Sequence, residues 1–423
     1  MSLLAAIGLA LATAAETTRT IEHEIVGPLA SVRVVHSFGA CTVKATAAGE
    51  KPHARLELVA KGGTSDAERT YLEQVELSLE PARNESGESL LVRSLFPAKE
   101  SKPAELSFAA ELTLWLPARA AVDLDNSFGP VTIDTRDGDV SVKNRLADIE
   151  LERIHGNARV DAQFGAVTAR DVTGTLTITG KNTAVTAERI GGLADVRTSA
   201  GAVTITTAGA VHVEDRIKPV TIRAVAGDVR VVSSFGDVKV DGVGGDLAID
   251  CKNGKIDARN VGGDAKVIGN LSEVVLADVT GAAEVHAPFS PVMVRGVGGK
   301  LVAENSARAL EIERARGDIE ATANGGLLTL RANLPTGAPR PAGSAPITWT
   351  LESEQGGVLL ELTDATSAAL ELTTSGGTIE CDFPGLVLGG SGSARTGSLR
   401  LREGTVMISA TSSGGAIRVR RRS

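Results

Sequence analysis

The stretch GDVKVDGVGGDLAIDCKN, residues 236–253, decides the fold because it contains two short runs of alternating apolar residues separated by glycine turns. Val238 and Val240 point to one side of an extended chain, and Leu247 and Ile249 do the same nine residues further on. Alternation with period two is typical of strands that bury one face. The stretch is therefore predicted to form two short strands joined by tight turns.

The same unit repeats along much of the chain. The apolar residue that begins the first strand of each unit recurs every 18 residues, except for one step of 17 residues. A series of glycines recurs with the same spacing and has its one shorter step at the same place. The apolar ladder is Val131, Ile149, Val167, Val185, Val203, Val220, Val238, Ile256, Val274, Val292, Leu310 and Leu328. The glycine ladder is Gly138, Gly156, Gly174, Gly192, Gly209, Gly227, Gly245, Gly263, Gly281, Gly299 and Gly317. The shared slip places a one-residue deletion between Val203 and Gly209.

Eighteen residues are too few for a strand, helix and strand, but two strands and two glycine turns make one coil of a solenoid. The sequence predicts an all-β fold, a parallel β-solenoid (β-helix) with about eleven coils of 18 residues, preceded by a small β-rich N-terminal domain with one short helix. A capping box at Ser65 and Glu68 predicts that helix. The outward strand positions vary freely, as in the row of Arg230, Ala248, Lys266 and Glu284.

The flanks are predicted to cap the solenoid, because an open end would expose an unpaired strand edge. Residues 1–14 combine an apolar run with a small-x-small pattern, which indicates a signal peptide. The predicted domains are an N-terminal β-rich cap (15–120), the solenoid (121–330), a Pro/Gly linker (331–347) and irregular C-terminal β coils (348–423). No later run reaches the roughly 18 apolar residues of a membrane span. We therefore expect an exported protein, periplasmic, at the cell surface or extracellular.

Composition argues against several classes of partner and site. A net charge of -8 and a pI near 5.5 leave no broad basic field for nucleic acid. Cys41, Cys251 and Cys381 are odd in number and far apart, which suggests neither a disulfide framework nor a zinc site. The six histidines fall at different phases of the repeat. No cofactor is predicted.

A Ser-Phe-Gly motif recurs as HSFGACTV (36–43), NSFGPVTI (126–133) and SSFGDVKV (233–240). Its Phe belongs to a row at one phase of the repeat: Phe128, Leu146, Phe164, Phe235, Leu271 and Phe289. The Phe is therefore predicted to be one rung of a stack at a coil corner, followed by a glycine where the chain turns tightly. A nucleophilic Ser234 would need a partnered His. No His lies at a consistent phase, so Ser234 is predicted to be a turn residue.

The most site-like feature is a carboxylate ladder, Asp228, Asp246 and Asp264, in three consecutive coils. Stacked carboxylates repel each other, and a divalent cation would relieve that repulsion. Calcium-binding β-rolls share the coil length, but VGGDLAIDC lacks their second spaced Gly-x-Asp. The favoured interpretation is exposed turn aspartates that cap their own backbone and are balanced by nearby Arg and Lys. The sequence predicts no catalytic, cofactor or metal site.

The chain resembles a bacterial β-strand-repeat family with a domain of unknown function, labelled "putative adhesin". The resemblance rests on the export signal, the strand-rich N-terminal unit that closes with ELTLWLP, the SFGPVTI start and the glycine-punctuated Val-x-Val rungs. The family has no established catalytic residues to carry over. The resemblance implies a non-enzymatic solenoid of the cell envelope.

The sequence leaves four candidate functions open. The leading hypothesis is a non-enzymatic, exported, adhesin-like module that binds a protein or glycan at the cell surface through a flat repetitive face. The alternative is self-assembly into a bactofilin-like scaffold, which depends on whether the coils at Val131 and Leu328 are covered. The remaining candidates are a polysaccharide-acting β-helix enzyme, which would need a groove with clustered acids and bases, and a calcium-binding β-roll.

Overall fold

The computed structural model describes residues 16–27, 29–84, 87–98, 102, 104–332 and 346–422. The predicted signal peptide (1–14) and most of the predicted linker (331–347) lie outside these residues. Within them the chain is nearly all β-strand with a single α-helix, so the predicted all-β fold with a parallel β-solenoid is confirmed. No helix in this part of the chain is long and apolar enough to cross a membrane.

The chain divides into two compact units, residues 1–174 and 175–423. The predicted domain boundaries do not follow this division and stay predictions. Among its described residues the first unit contains twelve strands and the helix. They are β1 (Thr17–Glu24), β2 (Ser31–Phe38), β3 (Ala40–Ala45), β4 (His53–Lys61), α1 (Ser65–Glu73), β5 (Glu76–Asn84), β6 (Gly87–Leu95), β7 (Ser107–Leu116), β8 (Ala121–Phe128), β9 (Val131–Arg136), β10 (Val140–Leu146), β11 (Ile149–Ile154) and β12 (Ala158–Val172).

Two sheets make up the first unit. Sheet 1a has the order β5-β6-β2-β8-β10 and ends on the first half of β12. Sheet 1b has the order β1-β4-β7-β3-β9-β11 and ends on the second half of β12. Pairs within β6-β2-β8-β10-β12 and β7-β3-β9-β11-β12 are parallel, whereas β5, β4 and β1 are antiparallel to their neighbours. Each coil of the solenoid, called a rung below, contributes one strand to each sheet. The parallel rungs are therefore flanked by antiparallel strands at the outer edge of this unit.

Residues 31–45, which the sequence analysis assigned to the N-terminal cap, form a solenoid rung. Phe38 has Phe128 as its Cα partner, and Cys41 has Val131. The rung formed by β6 and β7 pairs with the other side of β2 and β3, although it follows them in the chain. Spatial order and chain order therefore differ at this edge.

The helix forms where it was predicted, but its cap lies one residue earlier. Thr64 is the N-cap, and its Oγ1 accepts a hydrogen bond from Ala67 N at 3.3 Å. Glu68 reaches back to accept from Gly63 N at 3.1 Å. Ser65 is thus the first helical residue rather than the cap, because the Thr64 hydroxyl already accepts from the free N–H of Ala67 in the first turn.

The second unit contains the remaining strands. They are β13 (Leu176–Gly180), β14 (Thr183–Thr198), β15 (Val203–Asp215), β16 (Val220–Val225), β17 (Val229–Ser233), β18 (Val238–Val243), β19 (Leu247–Cys251), β20 (Gly254–Val261), β21 (Ala265–Gly269), β22 (Ser272–Val279), β23 (Ala283–His286), β24 (Val292–Val297), β25 (Leu301–Asn305), β26 (Leu310–Glu313), β27 (Ile319–Ala323), β28 (Leu328–Arg331), β29 (Ile347–Ser353), β30 (Val358–Leu362), β31 (Ala368–Thr374), β32 (Ile379–Cys381), β33 (Val387–Gly389), β34 (Arg395–Leu401), β35 (Val406–Ser412) and β36 (Ile417–Arg421).

These strands also form two sheets. Sheet 2a has the order β14-β15-β16-β18-β20-β22-β24-β26-β28-β30-β36-β32. Sheet 2b has the order β13-β14-β15-β17-β19-β21-β23-β25-β27-β29-β35-β31-β34-β33. Only the last two pairings of sheet 2b are antiparallel. The inward rows are buried aliphatic side chains such as Ile222, Val240, Val231 and Ile249.

The single 17-residue step of the repeat is accommodated at one corner of the solenoid. Ile190 pairs with Ala208, and the register shifts before Leu193 pairs with Ala210. Only Gly209 stands between Ala208 and Ala210 where two glycines stand in the preceding rung. The deletion therefore lies at the position that the sequence predicted, and the strands on both sides keep their inward residues.

A second corner of the rungs carries a left-handed residue, which the sequence analysis did not identify. Positive φ recurs at one phase: Thr135, Arg153, Asp171, Arg189, Thr207, Ala224, Gly242, Asn260, Asp278, Gly296 and Arg314. Gly, Asn and Asp adopt this conformation readily, but Thr, Ala and Arg do so at a cost. Because residues of several types occupy this phase, the sequence alone did not indicate a corner there.

Candidate binding groove

The outer face of sheet 2b carries an open groove of about 780 Å³. It begins at Leu193 of β14 and at Ala210 and Val211 of β15, and then crosses the strands β17, β19, β21, β23 and β25 between two rows of side chains. One row comes from the residue before each strand and includes Asp228, Asp246 and Asp264, and the other comes from the first outward position and includes Arg230, Ala248, Lys266 and Glu284. Alternation along each strand places these residues outward while their neighbours fill the core. The structure therefore brings the predicted carboxylate ladder and the predicted outward row together.

Each aspartate of the ladder ties one rung to the next. Asp228 Oδ1 accepts from Asp246 N at 2.9 Å, Asp246 Oδ1 from Asp264 N at 2.8 Å, and Asp264 Oδ1 from Ala282 N at 2.7 Å. These contacts give the ladder a structural role, but each aspartate caps the backbone of the next rung, 18 residues further on, rather than its own backbone as the sequence predicted. In the part of the chain that the structure describes, no three His, Cys, Asp or Glu side chains are grouped to hold a metal ion. That no metal site exists stays a prediction.

One oxygen of each aspartate is left for other contacts. No protein group in the described ranges donates to Oδ2 of Asp228, Asp246 or Asp264. The exposed guanidinium of Arg230 likewise has no hydrogen bond or ion pair with a described residue. The groove thus presents a row of free acceptors beside a free donor.

The far end of the groove is occupied by an ion-pair cluster. Lys266 Nζ and His286 Nε2 both lie 2.8 Å from Glu284 Oε1, and His286 Nδ1 lies 2.8 Å from Glu304 Oε2. The hydrogen bond from Lys266, followed by that from His286, lowers the pKa of Glu284. A lowered pKa keeps this carboxylate ionised, whereas a general acid requires a raised pKa. Glu284 is therefore an ionised carboxylate that is already paired with Lys266 and His286.

The Phe of the Ser-Phe-Gly motif lies at a coil corner with its ring half exposed. In the first unit Phe128, Leu146 and Phe164 are Cα partners in successive rungs and are 45–46% exposed. In the second unit Phe235, Leu271 and Phe289 are 53–58% exposed. The repeat predicted the position of this row but not its exposure. The repeat did contain a signal for the exposure, because the inward positions of each rung are already filled by aliphatic residues and the corner residues therefore lie outside the core.

The corner glycine of the motif is required by close approach. Gly129 has φ +121°, and a Cβ there would lie 2.1 Å from the Gly39 carbonyl oxygen. The carbonyl of Ser234 accepts from Asn253 Nδ2 at 3.3 Å in the neighbouring rung. The motif therefore acts as a turn in the structure, with its serine backbone joined to the stack.

A buried histidine lies next to the first copy of the motif. His36 is 1% exposed, and its Nδ1 lies 3.0 Å from Ser94 Oγ. Burial lowers the pKa of His36 to about 4. A neutral ring inside the fold cannot reach a substrate at the surface, so this Ser-His pair is part of the core.

Comparisons with known proteins leave the family open. No family model matches the chain and no curated protein is similar to it. Among solved structures, the chain is similar to a "putative cell adhesion protein" from Clostridium sporogenes, with 9% identity over 96% of this chain and 100% of that one, and a TM-score of 0.17. At that identity and TM-score the likeness supports no conclusion about this chain. The resemblance to the adhesin-like repeat family therefore stays a prediction.

Proposed function

We propose that this chain is an exported, non-enzymatic binding module of the cell envelope, an adhesin-like β-solenoid that holds a protein or glycan partner along its outer face. The observation that carries the proposal is the groove on sheet 2b. Its free acceptors on Asp228, Asp246 and Asp264 and its free donor on Arg230 are polar groups that the fold itself leaves unused. Convergent polar groups in a groove are the usual mark of a binding site.

Covered rungs favour binding over end-to-end assembly. Val131 is covered by its partner Cys41, and Leu328 by its partner Val358. Beyond these rungs the first unit adds antiparallel β4, β5 and β1, and the second adds antiparallel β34 and β33. The outermost strands β32 and β33 have three residues each, and short edge strands are a common means of preventing edge-to-edge pairing.

The experiment is co-sedimentation of the purified chain with bacterial cell-envelope fragments. We expect the wild-type chain to sediment with the fragments and Arg230→Glu to do so several-fold less, because the substitution places a carboxylate beside the aspartate row. Arg223→Glu is the matched control, since Arg223 is an equally exposed arginine on the outer face of sheet 2a. Failure of the wild-type chain to sediment, or its growth into filaments when concentrated, contradicts the proposal.

A polysaccharide-acting enzyme is the second candidate, because the groove does cluster acids and bases as such an enzyme requires. It predicts release of reducing ends from envelope polysaccharide, and loss of that release in Asp246→Asn. Binding without any release over long incubation favours the non-enzymatic module.

A further inference from the structure

We propose that the ligand of the groove is a linear polysaccharide laid across the strands of sheet 2b with about one sugar ring per strand. This inference rests on the proposed function and names the class of partner for the same groove. Two observations support the inference. The spacing of the polar groups along the groove matches the spacing of sugar rings along a chain, and the two rows of side chains that line the groove have the chemistry to bind sugar hydroxyls.

The groove repeats its polar groups once per strand. Asp228, Asp246 and Asp264 precede three successive strands of one sheet, and neighbouring strands lie about 4.8 Å apart. An extended peptide advances about 3.3 Å per residue, so its side chains recur on one face at about 6.6 Å and lose register within a few strands. Each ring of an extended β-1,4-linked pyranose chain advances by slightly more than one strand spacing, and two rings, after which the same face recurs, advance by slightly more than two. A polysaccharide therefore stays in register along the groove where a peptide does not.

The chemistry of the rows fits sugar hydroxyls. The second carboxylate oxygen of each aspartate is an acceptor without a donor among the described residues, and hydroxyl groups donate readily to carboxylates. Arg230 supplies donors for ring and hydroxyl oxygens. The carboxylate row would repel a polyanion, which favours a neutral or amino-sugar chain over nucleic acid or an acidic polymer.

Small residues leave room for the rings. Ala248 lies between Arg230 and Lys266 in the outward row, and Ala282 follows Asp264 in the corner row. Methyl groups at these positions give the groove apolar patches that can contact the apolar face of a pyranose ring. A polar groove with methyl patches suits an amphiphilic sugar chain.

The test is calorimetric titration of the full chain with cello- and chito-oligosaccharides of increasing length. We expect affinity to rise with each added ring until the strands that line the groove, from β14 to β25, are spanned, and then to level off. Ala248→Trp should fill the groove and weaken binding about tenfold or more. Thr221→Trp, on the outer face of sheet 2a, is the matched control and should bind as wild type. Asp246→Asn keeps an oxygen for Asp264 N and should weaken binding without unfolding.

Treatment of the envelope fragments separates this inference from the proposed function. Digestion of the fragments with glycoside hydrolases that cut 1,4-linked glucan and amino-sugar chains should abolish co-sedimentation, while protease digestion should leave it intact. Co-sedimentation that survives the glycoside hydrolases but not protease, or that is unchanged in Ala248→Trp, overturns the polysaccharide and leaves a binding module for a protein. Absence of co-sedimentation with untreated fragments overturns both proposals.

Discussion

Phe38 stacks on Phe128 with ring centroids 5.3 Å apart and ring planes inclined by 6°. The two residues are Cα partners in the parallel strands β2 and β8. This contact joins the first copy of the Ser-Phe-Gly motif to the second and makes residues 31–45 a rung of the solenoid. The segment between the two copies supplies the helix and the outer strands β4, β5, β6 and β7, whereas β1 precedes the first copy.

Phe38→Ala should destabilise the first unit by about 2 kcal/mol, because the ring is half buried and also contacts Phe96 and Phe108. The measurement is the free energy of unfolding in urea, followed by circular dichroism. Phe289→Ala is the control, since Phe289 is 53% exposed and makes no ring contact with a described aromatic residue. Equal losses for the two variants would contradict a structural role for the stack.

Arg136→Met should cost about 3 kcal/mol of stability. Arg136 is fully buried and donates to the carbonyl oxygens of Leu116, Pro117 and Ala120, which would lose their donor. Burial lowers the pKa of this guanidinium to about 10. Arg145→Met, on an exposed arginine of β10, should change the thermal midpoint little, and a similar shift in both variants would argue against the buried contacts.

Stability should fall in mildly acidic solution because of His36. Its pKa is about 4 in the folded chain and 6.5 in the unfolded chain, so the unfolded state takes up the proton first. The stabilisation is present above pH 6.5 and is lost as the pH falls towards 4, by up to about 3 kcal/mol. His36→Asn, which copies its Cα partner Asn126, should remove this dependence in urea titrations at several pH values. His23→Asn, on an exposed histidine, should retain it.

Asp246→Ala should lower the free energy of unfolding by about 1 kcal/mol, because Asp264 N loses its acceptor. Asp246→Asn should stay close to wild type, since the amide oxygen can accept the same hydrogen bond. Denaturation midpoints of the two variants give the comparison. If both variants lose stability equally, the charge rather than the backbone cap is what the fold needs.

Thr207→Gly should stabilise the second unit by about 1 kcal/mol. Thr207 is an exposed β-branched residue with φ 60°, a conformation that glycine adopts without strain. Thr204→Gly is the matched control, because Thr204 is equally exposed but lies in a regular part of β15, where glycine weakens a strand. Opposite signs in the two thermal midpoints are expected, and destabilisation by both substitutions would contradict strain at Thr207.

The repeat predicted much of the candidate site as well as the fold. Asp228, Asp246 and Asp264 were expected in one row and Arg230, Ala248, Lys266 and Glu284 in another, and the structure places both rows along one groove. Phase within the repeat is enough to assign residues to rows. Which carboxylate oxygens remain free depends on hydrogen bonds between rungs, and these cannot be read from spacing.

The sequence by itself determined the rung: its two strands, its inward aliphatic rows, the corner of the Ser-Phe-Gly motif and the place of the one-residue slip. These features are local, because period-two alternation and glycine turns act within a few residues of one another. Only the tertiary structure decided that β6 and β7 cover β2 and β3, and that β35 and β36 lie between β29, β30 and β31, β32. Strands of equal length and similar pattern can pair with many partners. Their order is fixed by which edge each segment can reach and cover, which is a property of the folded chain.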